Sequence, residues 1–398
     1  VSDETVSHEP DRKSGGRLKR VAWMTGRVLV ALASAAALAS AGLARDTVQT
    51  VRENVPTSDV FTDEVEKTAP PQDDGADDYL VVGSDTRTDA KGNPLPERVL
   101  RQLRTEAADG LNTDTIILLR IPKDGTKGYA ISIPRDTYVT IPGYQDDKIN
   151  SAYGVIKSRT AHKLRNEGKT DRAEIERLSD TAGRSALTQV VQDLTGVRVD
   201  HYAEVNLYGF YLLTEAIGGV QVCLNQATSD PNSGASFRKG VQKISGGSAL
   251  AFVRQRDGLP RGDLDRIVRQ QAFLGAVMQQ LLSAGTLTDQ SKLTALTDAA
   301  SKSVVVSPGL DIVQLARHLG SMSSGAVEFA TIPVVAVGAR NERGQSIITV
   351  DLPKVREYVN QLIGRQAPPR FAAQRPLMLN GAVQPQQPAT IDGVRCVD

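Results

Sequence analysis

Aromatic residues make up only 4% of this 398-residue chain, and its formal net charge at pH 7 is +1. Nucleic-acid partners call for a basic stripe with interleaved aromatics, so both scarcities argue against one. The four histidines, His8, His162, His201 and His318, lie without ligand spacing, which disfavours a zinc centre. His201, beside Tyr202, reads as a packing or hydrogen-bonding residue rather than a catalyst. No G-x-S-x-G elbow, P-loop or G-x-G-x-x-G fingerprint occurs, so a serine hydrolase, a P-loop kinase and a dinucleotide enzyme all lack their signatures. Cysteine is nearly absent too. Cys223 and Cys396 are compatible with one disulfide that ties the C-terminal segment to Val220–Leu224, or with two free thiols.

What is present begins with a membrane signal. Arg17, Lys19, Arg20 and Arg27 precede the apolar, small-residue run Val28–Ala44, so the basic flank stays cytoplasmic and all that follows is translocated. The small residues from Ala39 to Gly42 suit a cleaved signal peptide. Against that, the apolar run exceeds a usual signal core of ~7–15 residues and extends with Val21–Met24, which favours an uncleaved single-pass anchor. The expected organisation is a disordered cytoplasmic tail over 1–20, a transmembrane anchor over 21–44 and a juxtamembrane spacer over 45–76. An extracytoplasmic folded domain over 77–365 and a tail over 366–398, tied back to it, complete the chain.

Within the domain, apolar strand-like runs alternate with helical patterns. Strands are expected at Tyr79–Val82, Thr115–Ile121, Tyr129–Ile133, Val220–Leu224, Phe329–Pro333 and Ser346–Val350. Helices are expected near Pro96–Ala107, Ser151–Asn166, Ser179–Leu194, Leu207–Ile217, Gly247–Arg254 and Leu264–Leu282. Three more follow at Leu293–Ser303, Ile312–Met322 and Leu352–Ile363. This interleaving predicts an α/β sandwich about one core sheet.

The stretch LAFVRQRDGLPRGDLDRIVRQQAFLGAVMQQLL, Leu250–Leu282, sets Arg254, Arg256, Arg261, Arg266 and Arg269 among apolar residues. A half-buried guanidinium costs several kcal/mol unless it is paired, so the cluster implies an anion, and phosphate fits the planar fork. Arg256 and Arg261 could instead pair with Asp257, Asp263 and Asp265 on a solvated loop. Spacing favours the anion: Arg266, Arg269 and Gln270 share a helical face, with Ile267, Val268, Phe273, Leu274, Val277 and Leu281 for packing. The RGD at Arg261–Asp263 is read as part of this cluster rather than as an adhesion motif.

Further polar stretches accompany it: GSDTR with Asp85 and Arg87 past a strand end, NTDTIILLRI with Asp114, SIPRDTYVTIPG with Arg135 and Asp136, and DDKINSAYG with Lys148 and Asn150. Together with GGVQVCL and AFVRQRDG…GDLDRIVRQQ, in this order, they resemble the LytR-CpsA-Psr family of bacterial cell-envelope proteins over roughly 78–282, continuing to about 364. The resemblance implies a membrane-anchored, three-layer α/β/α domain with a central mixed sheet and a hydrophobic tunnel. It implies transfer of a glycopolymer from a polyprenyl-pyrophosphate carrier to peptidoglycan, assisted by Mg²⁺ (or Mn²⁺). Carried onto this chain, it makes Asp85 and Asp114 the metal-side carboxylates, and Arg135, Arg254 and Arg256, with Arg266 and Gln270, the pyrophosphate clamp. Arg87 and Lys148 are assigned more loosely to phosphate contact or to ordering the site. Asn112 stands where members often carry an arginine. A polyprenyl-phosphate sensor of wall synthesis and a polyprenyl-pyrophosphate pyrophosphatase are the alternatives, since the same residues would serve both. Leu207–Ile217 and Phe273–Leu282 are the candidate lipid linings.

Overall fold

The computed structural model describes residues 55–72, 75–87, 89, 95–103, 111–281, 289–312, 314–315, 327–364, 390–391 and 394–398. The expected anchor lies outside them, as do the proposed cytoplasmic tail and most of the helix expected at Ile312–Met322. Among the described residues no helix is long and apolar enough to cross a membrane.

The chain enters through α1 (Asp63–Thr68) and β1 (Ala76–Ser84), then α2 (Glu97–Gln102), β2 (Thr113–Pro122) and β3 (Gly128–Ser132). Two short strands, β4 (Tyr138–Thr140) and β5 (Asp146–Lys148), pair with each other ahead of α3 (Ala152–Asn166) and α4 (Arg172–Thr195). Next come β6 (His201–Asn206), α5 (Leu207–Ala216) and β7 (Val220–Leu224), then the hairpin β8 (Thr228–Asp230) and β9 (Ala235–Phe237). β10 (Gly240–Ile244), α6 (Gly246–Arg254), α7 (Asp263–Leu281) and α8 (Gln290–Ser303) follow. The remainder is β11 (Val304–Val306), β12 (Val327–Thr331), the hairpin β13 (Ala336–Arg340) and β14 (Ser346–Thr349), α9 (Leu352–Leu362), β15 (Thr390–Ile391) and β16 (Val394–Val397).

Six strands form one mixed sheet in the order β11-β6-β1-β2-β3-β12. β1 is antiparallel to β2 and parallel to β6, and β3 is parallel to β12. Side chains alternate across a strand, so Leu80, Val82, Ile116 and Leu118 face one side, where they pack on Leu187, Val190, Val191 and Leu194 of α4. Each of those buried side chains contributes about 1.5–3 kcal/mol by area removed from water. Val81, Ile117 and Val205 face the other side, where α5 and α7 stand away from the sheet and leave a cavity. Asp171 caps α4 by accepting from the amides of Ala173 and Glu174, and Gly196, at φ 71°, ends it.

Two expectations need revision. The spacer over 45–76 contains folded structure: Val60 is buried in the main core, Ser58 N donates to the Val306 carbonyl (2.8 Å), and α1 lies within it. Its seat is polar as well, since Arg184 pairs with Glu204 (2.8 Å) and also reaches the Ser58 hydroxyl (3.3 Å). β6 was not expected at all, because the buried Glu204 breaks the apolar pattern of a central strand and is tolerated only beside Arg184 and the Tyr202 hydroxyl (3.0 Å). Within the tail, β16 lies parallel to β7 with Cys396 opposite Cys223, and the two sulfurs are bonded. His201 stacks on Tyr79 at 4.8 Å, and burial lowers its pKa, in keeping with a packing role.

α3 and α4 approach closely at Gly183. A Cβ on Gly183 would stand 2.7 Å from the Tyr153 carbonyl oxygen, which a backbone atom cannot yield to cheaply. Gly183→Ala should therefore cost about 1–3 kcal/mol. Urea denaturation checks this, and an unchanged midpoint would contradict it.

Candidate active site

The polar end of the cavity is built where β1 ends and β2 begins. Because the strands are antiparallel, these termini are neighbours, and the register slips there: Gly83 faces Thr115 whereas Ser84 faces Thr113. Asp114 is the extra residue of that bulge, and a bulge re-aims the side chain it carries. Asp85 follows β1 and is held in place by a reciprocal pair, its amide donating to the Asn112 carbonyl (3.0 Å) while its Oδ1 accepts from the Asn112 amide (2.9 Å).

Arg135 arrives from the loop after β3, pinned by the Asn150 amide on its own carbonyl (3.1 Å). Its guanidinium contacts Asp114 at 2.7 Å and Asp263 at 3.3 Å, and Asp263 in turn contacts Arg266 at 2.8 Å. Asp114, Arg135, Asp263 and Arg266 thus form a chain of alternating charge through a mostly buried space. α6 ends at Arg254, and the next residue leaves the helix in extended geometry (φ −54°, ψ 135°). The alternation turns Arg254 and Arg256 toward the cavity and Gln255, fully buried, away from it. Arg254 has one weak contact, to the Leu103 carbonyl at 3.4 Å. Among the described residues neither Arg254 nor Arg256 has a carboxylate within 4.0 Å.

Electrostatics follow from this layout. Burial alone would raise the Asp114 pKa, but Arg135, Arg266 and Arg256 together override it and hold the group below the usual carboxylate range. Asp85 is raised, by burial first and then by the Asp114 charge, against the opposing Asn112 hydrogen bond and the Arg87 and Arg254 charges. Burial brings Arg266 down to about 10, its like-charged neighbours adding to the effect, and burial with the Arg87 charge lowers Arg254. Positive charge is therefore crowded here, and two of the guanidinium groups have no carboxylate partner among the described residues.

The cavity encloses about 710 Å³. Asp85, Arg87, Asn112, Asp114, Arg135, Arg254, Arg256, Arg266 and Gln270 all border it. So do Leu207, Phe210, Leu213 and Ile217 from α5 and Phe273, Leu274, Val277 and Leu281 from α7. Spacings of three and four place each set on one stripe of its helix. One end is thus a guanidinium–carboxylate cluster and the other an apolar sleeve.

Two assignments change. Lys148 does not border the cavity; its ammonium pairs with Asp136 at 2.9 Å, which places it behind Arg135. Arg269 does not share the donor face of Arg266 and Gln270: it is buried on the far side of α7, where it donates to Gln255 Oε1 at 2.6 Å. Arg261 is bound to Asp265 (2.6 Å), which leaves the RGD with a structural explanation. Asp263 is the residue whose part the sequence concealed. Its place three before Arg266 signals that pair, but nothing local signals Arg135, which is distant in the chain.

Residues 40–364 match the model of the LytR_cpsA_psr family. The chain is 48% identical over 295 residues to the cell wall biosynthesis protein LcpA of Corynebacterium glutamicum, covering 74% of this chain and 57% of that protein. It is 33% identical over 183 residues to the polyisoprenyl-teichoic acid–peptidoglycan teichoic acid transferase TagU of Oceanobacillus iheyensis, covering 46% and 50%. The chain therefore spans about half the length of the curated relatives it matches. Among solved structures, Bacillus subtilis TagV superposes with a TM-score of 0.51 at 20% identity, over 74% of this chain and 100% of that one, a likeness of fold.

If Arg135 is what holds Asp114 ionised, Arg135→Met should raise the Asp114 pKa, because the remaining largest influence is burial. The sign for stability follows. A depressed carboxylate stabilises the fold above its unfolded pKa, and that share is lost as pH falls through the folded value, so the variant should lose stability most at neutral pH. Carboxyl-carbon NMR titration of Asp114 checks it; an unmoved midpoint would assign the depression elsewhere.

Proposed function

The chain belongs to the LytR_cpsA_psr family, and on that premise we propose that it transfers a cell-wall glycopolymer from a polyprenyl-pyrophosphate carrier to peptidoglycan through a phosphodiester. The observation that carries the proposal is one cavity with two chemistries. An arginine cluster, in which Arg254 and Arg256 have no carboxylate partner among the described residues, adjoins an apolar sleeve, and a prenyl pyrophosphate has just those two parts. Each prenyl methylene that moves from bilayer to sleeve need lose nothing, since burial in either is worth about 0.8 kcal/mol.

In the proposed reaction a hydroxyl oxygen of the peptidoglycan sugar attacks the phosphorus nearest the glycan. The bridging P–O bond breaks, and polyprenyl phosphate leaves with that oxygen. Charge spreads over the equatorial and leaving oxygens, where Arg254 and Arg256 lie without competing carboxylates and can stabilise it without a covalent intermediate. Arg135 and Arg266, each already tied to Asp263, act as the fixed wall of the clamp. The hydroxyl proton passes to Asp85, whose bonded oxygen takes only a backbone amide, whereas Asp114 is committed to Arg135.

A divalent cation fits the donor set. Among the described residues no group of three ligating side chains forms a metal site alone. Mg²⁺ needs only one or two carboxylates when phosphate and water complete its shell, and Asp85 and Asp114, close enough to raise one pKa, would hold it. When bound it would supply charge neutralisation at the phosphate oxygens. Access to a lipid-linked donor places the body at the outer face of the membrane, with 21–44 as its anchor.

The test is transfer of radiolabelled glycan from the lipid donor to peptidoglycan by residues 46–398, with Mg²⁺ and with EDTA. Ligation should need the metal and fall about 10²-fold or more in Arg254→Ala. Arg256→Lys should lose turnover without comparable loss of folding stability, because the bidentate fork is gone and the charge is not. Release of glycan phosphate without ligation would assign a pyrophosphatase, and tight lipid binding without turnover a sensor.

The sleeve makes a separate prediction. Val277→Trp should fill it and cost about 1–3 kcal/mol of stability at most. Turnover of long-chain donor should fall at least tenfold while a short-chain prenyl pyrophosphate still binds; equal loss for both would show that the chain end does not occupy this space.

A further inference from the structure

Behind the two cavity-facing arginines lies a buried polar relay with no part in substrate contact. Gln255 sits between Arg254 and Arg256 and is 0% exposed, and Arg269 is 1% exposed. Gln255 Oε1 accepts from Arg269 Nη1 at 2.6 Å, while its Nε2 donates to the Thr228 hydroxyl at 2.5 Å and to the Asp257 carbonyl at 3.0 Å. Arg269 lies over the Phe252 ring at 5.2 Å, and its Nε donates to the main-chain carbonyl of Asp398. Asp398 follows β16, the strand bonded to β7 through Cys396.

Two features make this more than core packing. A buried guanidinium is costly without a close ion pair, and Arg269 makes its contacts to one side-chain amide, one main-chain oxygen and one ring, the Asp265 and Asp398 charges only partly offsetting its burial. A leucine or methionine would fill the same space more cheaply. The amide it holds is also the one residue whose backbone joins the two clamp arginines. At Arg256 itself the ties are weak: Arg256 N reaches Asp230 Oδ2 only at 3.4 Å and the residue is exposed, the next firm tie being Asn232 Nδ2 to Asp257 Oδ2 at 2.7 Å. Only one of the Gln255 bonds returns to the helix, so the amide head fixes where Arg256 can point.

We infer that Arg269 and Gln255 are positioning residues that pre-orient the Arg254–Arg256 pair toward the pyrophosphate, with the strand that carries Cys396 as the fixed end of the relay. The inference rests on the proposed pyrophosphate site and deepens it. Preorganised donors stabilise developing charge without reorganising as the reaction proceeds, which is why a misplacement of about 1 Å behind the site can cost about 10²-fold.

Gln255→Glu separates position from stability. The carboxylate keeps the bond to Arg269 and adds an ion pair, so thermal stability should hold or rise. Its second oxygen can still accept from the Thr228 hydroxyl but cannot donate to the Asp257 carbonyl, so the segment after Arg254 loses that tether. The experiment is a double-mutant cycle on Gln255→Glu and Arg256→Ala, read by calorimetric binding of geranyl pyrophosphate and, separately, by transfer. Gln255→Glu alone should weaken binding about tenfold with an unlowered Tm. On the Arg256→Ala background it should add less than about twofold, because the side chain it positions is gone. Arg269→Met should behave likewise in the cycle whatever it does to Tm. Additive losses, or wild-type affinity in Gln255→Glu, would overturn the inference while leaving the proposed function intact. Wild-type protein that binds geranyl pyrophosphate and shows the coupling but does not transfer would sink the transferase reading and leave the relay standing. Failure of the wild type to bind would overturn both.

Discussion

Desolvated positive charge is the constraint on which the rest of this structure depends. Arg135, Arg254, Arg256 and Arg266 border one cavity, and burial holds Arg254 and Arg266 below the ordinary guanidinium value. A protein retains such a cluster at the cost of stability when an anion completes it. Asp114 and Asp263 neutralise part of the charge, and they do so at Arg135 and Arg266, at the wall. Arg254 and Arg256 are left facing the space. The division between guanidinium groups with and without a carboxylate partner separates the wall of the cavity from its open side.

The fold supplies the geometry for that division. Antiparallel β1 and β2 bring two carboxylates to one end of the sheet, and the bulge at Asp114 turns the second of them inward. The sheet's opposite face carries the main core with α4, so the cavity face is free to be thinly packed. α7 then serves both ends of the ligand space: Arg266 and Gln270 face its polar part, Phe273, Val277 and Leu281 its sleeve, and Arg269 points backward to brace the segment after α6. One helix sequence thus encodes clamp, sleeve and brace on different faces.

Much of this was legible in the chain. Apolar periodicity located the strand from Tyr79 and the long helix over Leu264–Leu282, because those signals are local and strong; that α5 and α7 line a cavity was expected from the family resemblance. The motif carboxylates Asp85 and Asp114 and the Arg135 guanidinium were legible through their resemblance to a family rather than through spacing. What stayed hidden depends on contacts remote in sequence. β6 has a charged residue in a buried strand that makes sense only beside Arg184; the segment around Val60 packs on a core it does not announce; and Asp263 joins Arg135 across the site. Arg269 is the clearest instance. Its spacing from Arg266 and Gln270 is that of a shared face, yet its partners, Gln255 and Asp398, come from elsewhere and turn it away.

Affinity for prenyl pyrophosphates of increasing length is the most direct measurement of whether cluster and sleeve serve one molecule. Titration of residues 46–398 with inorganic pyrophosphate and then with C10, C15 and longer prenyl pyrophosphates should give affinity that climbs with each isoprene unit until the sleeve is filled. The climb should vanish in Val277→Trp, and all binding should weaken in Arg254→Ala. Affinity that does not depend on chain length would mean that the sleeve is ordinary core and that the arginines bind a different anion.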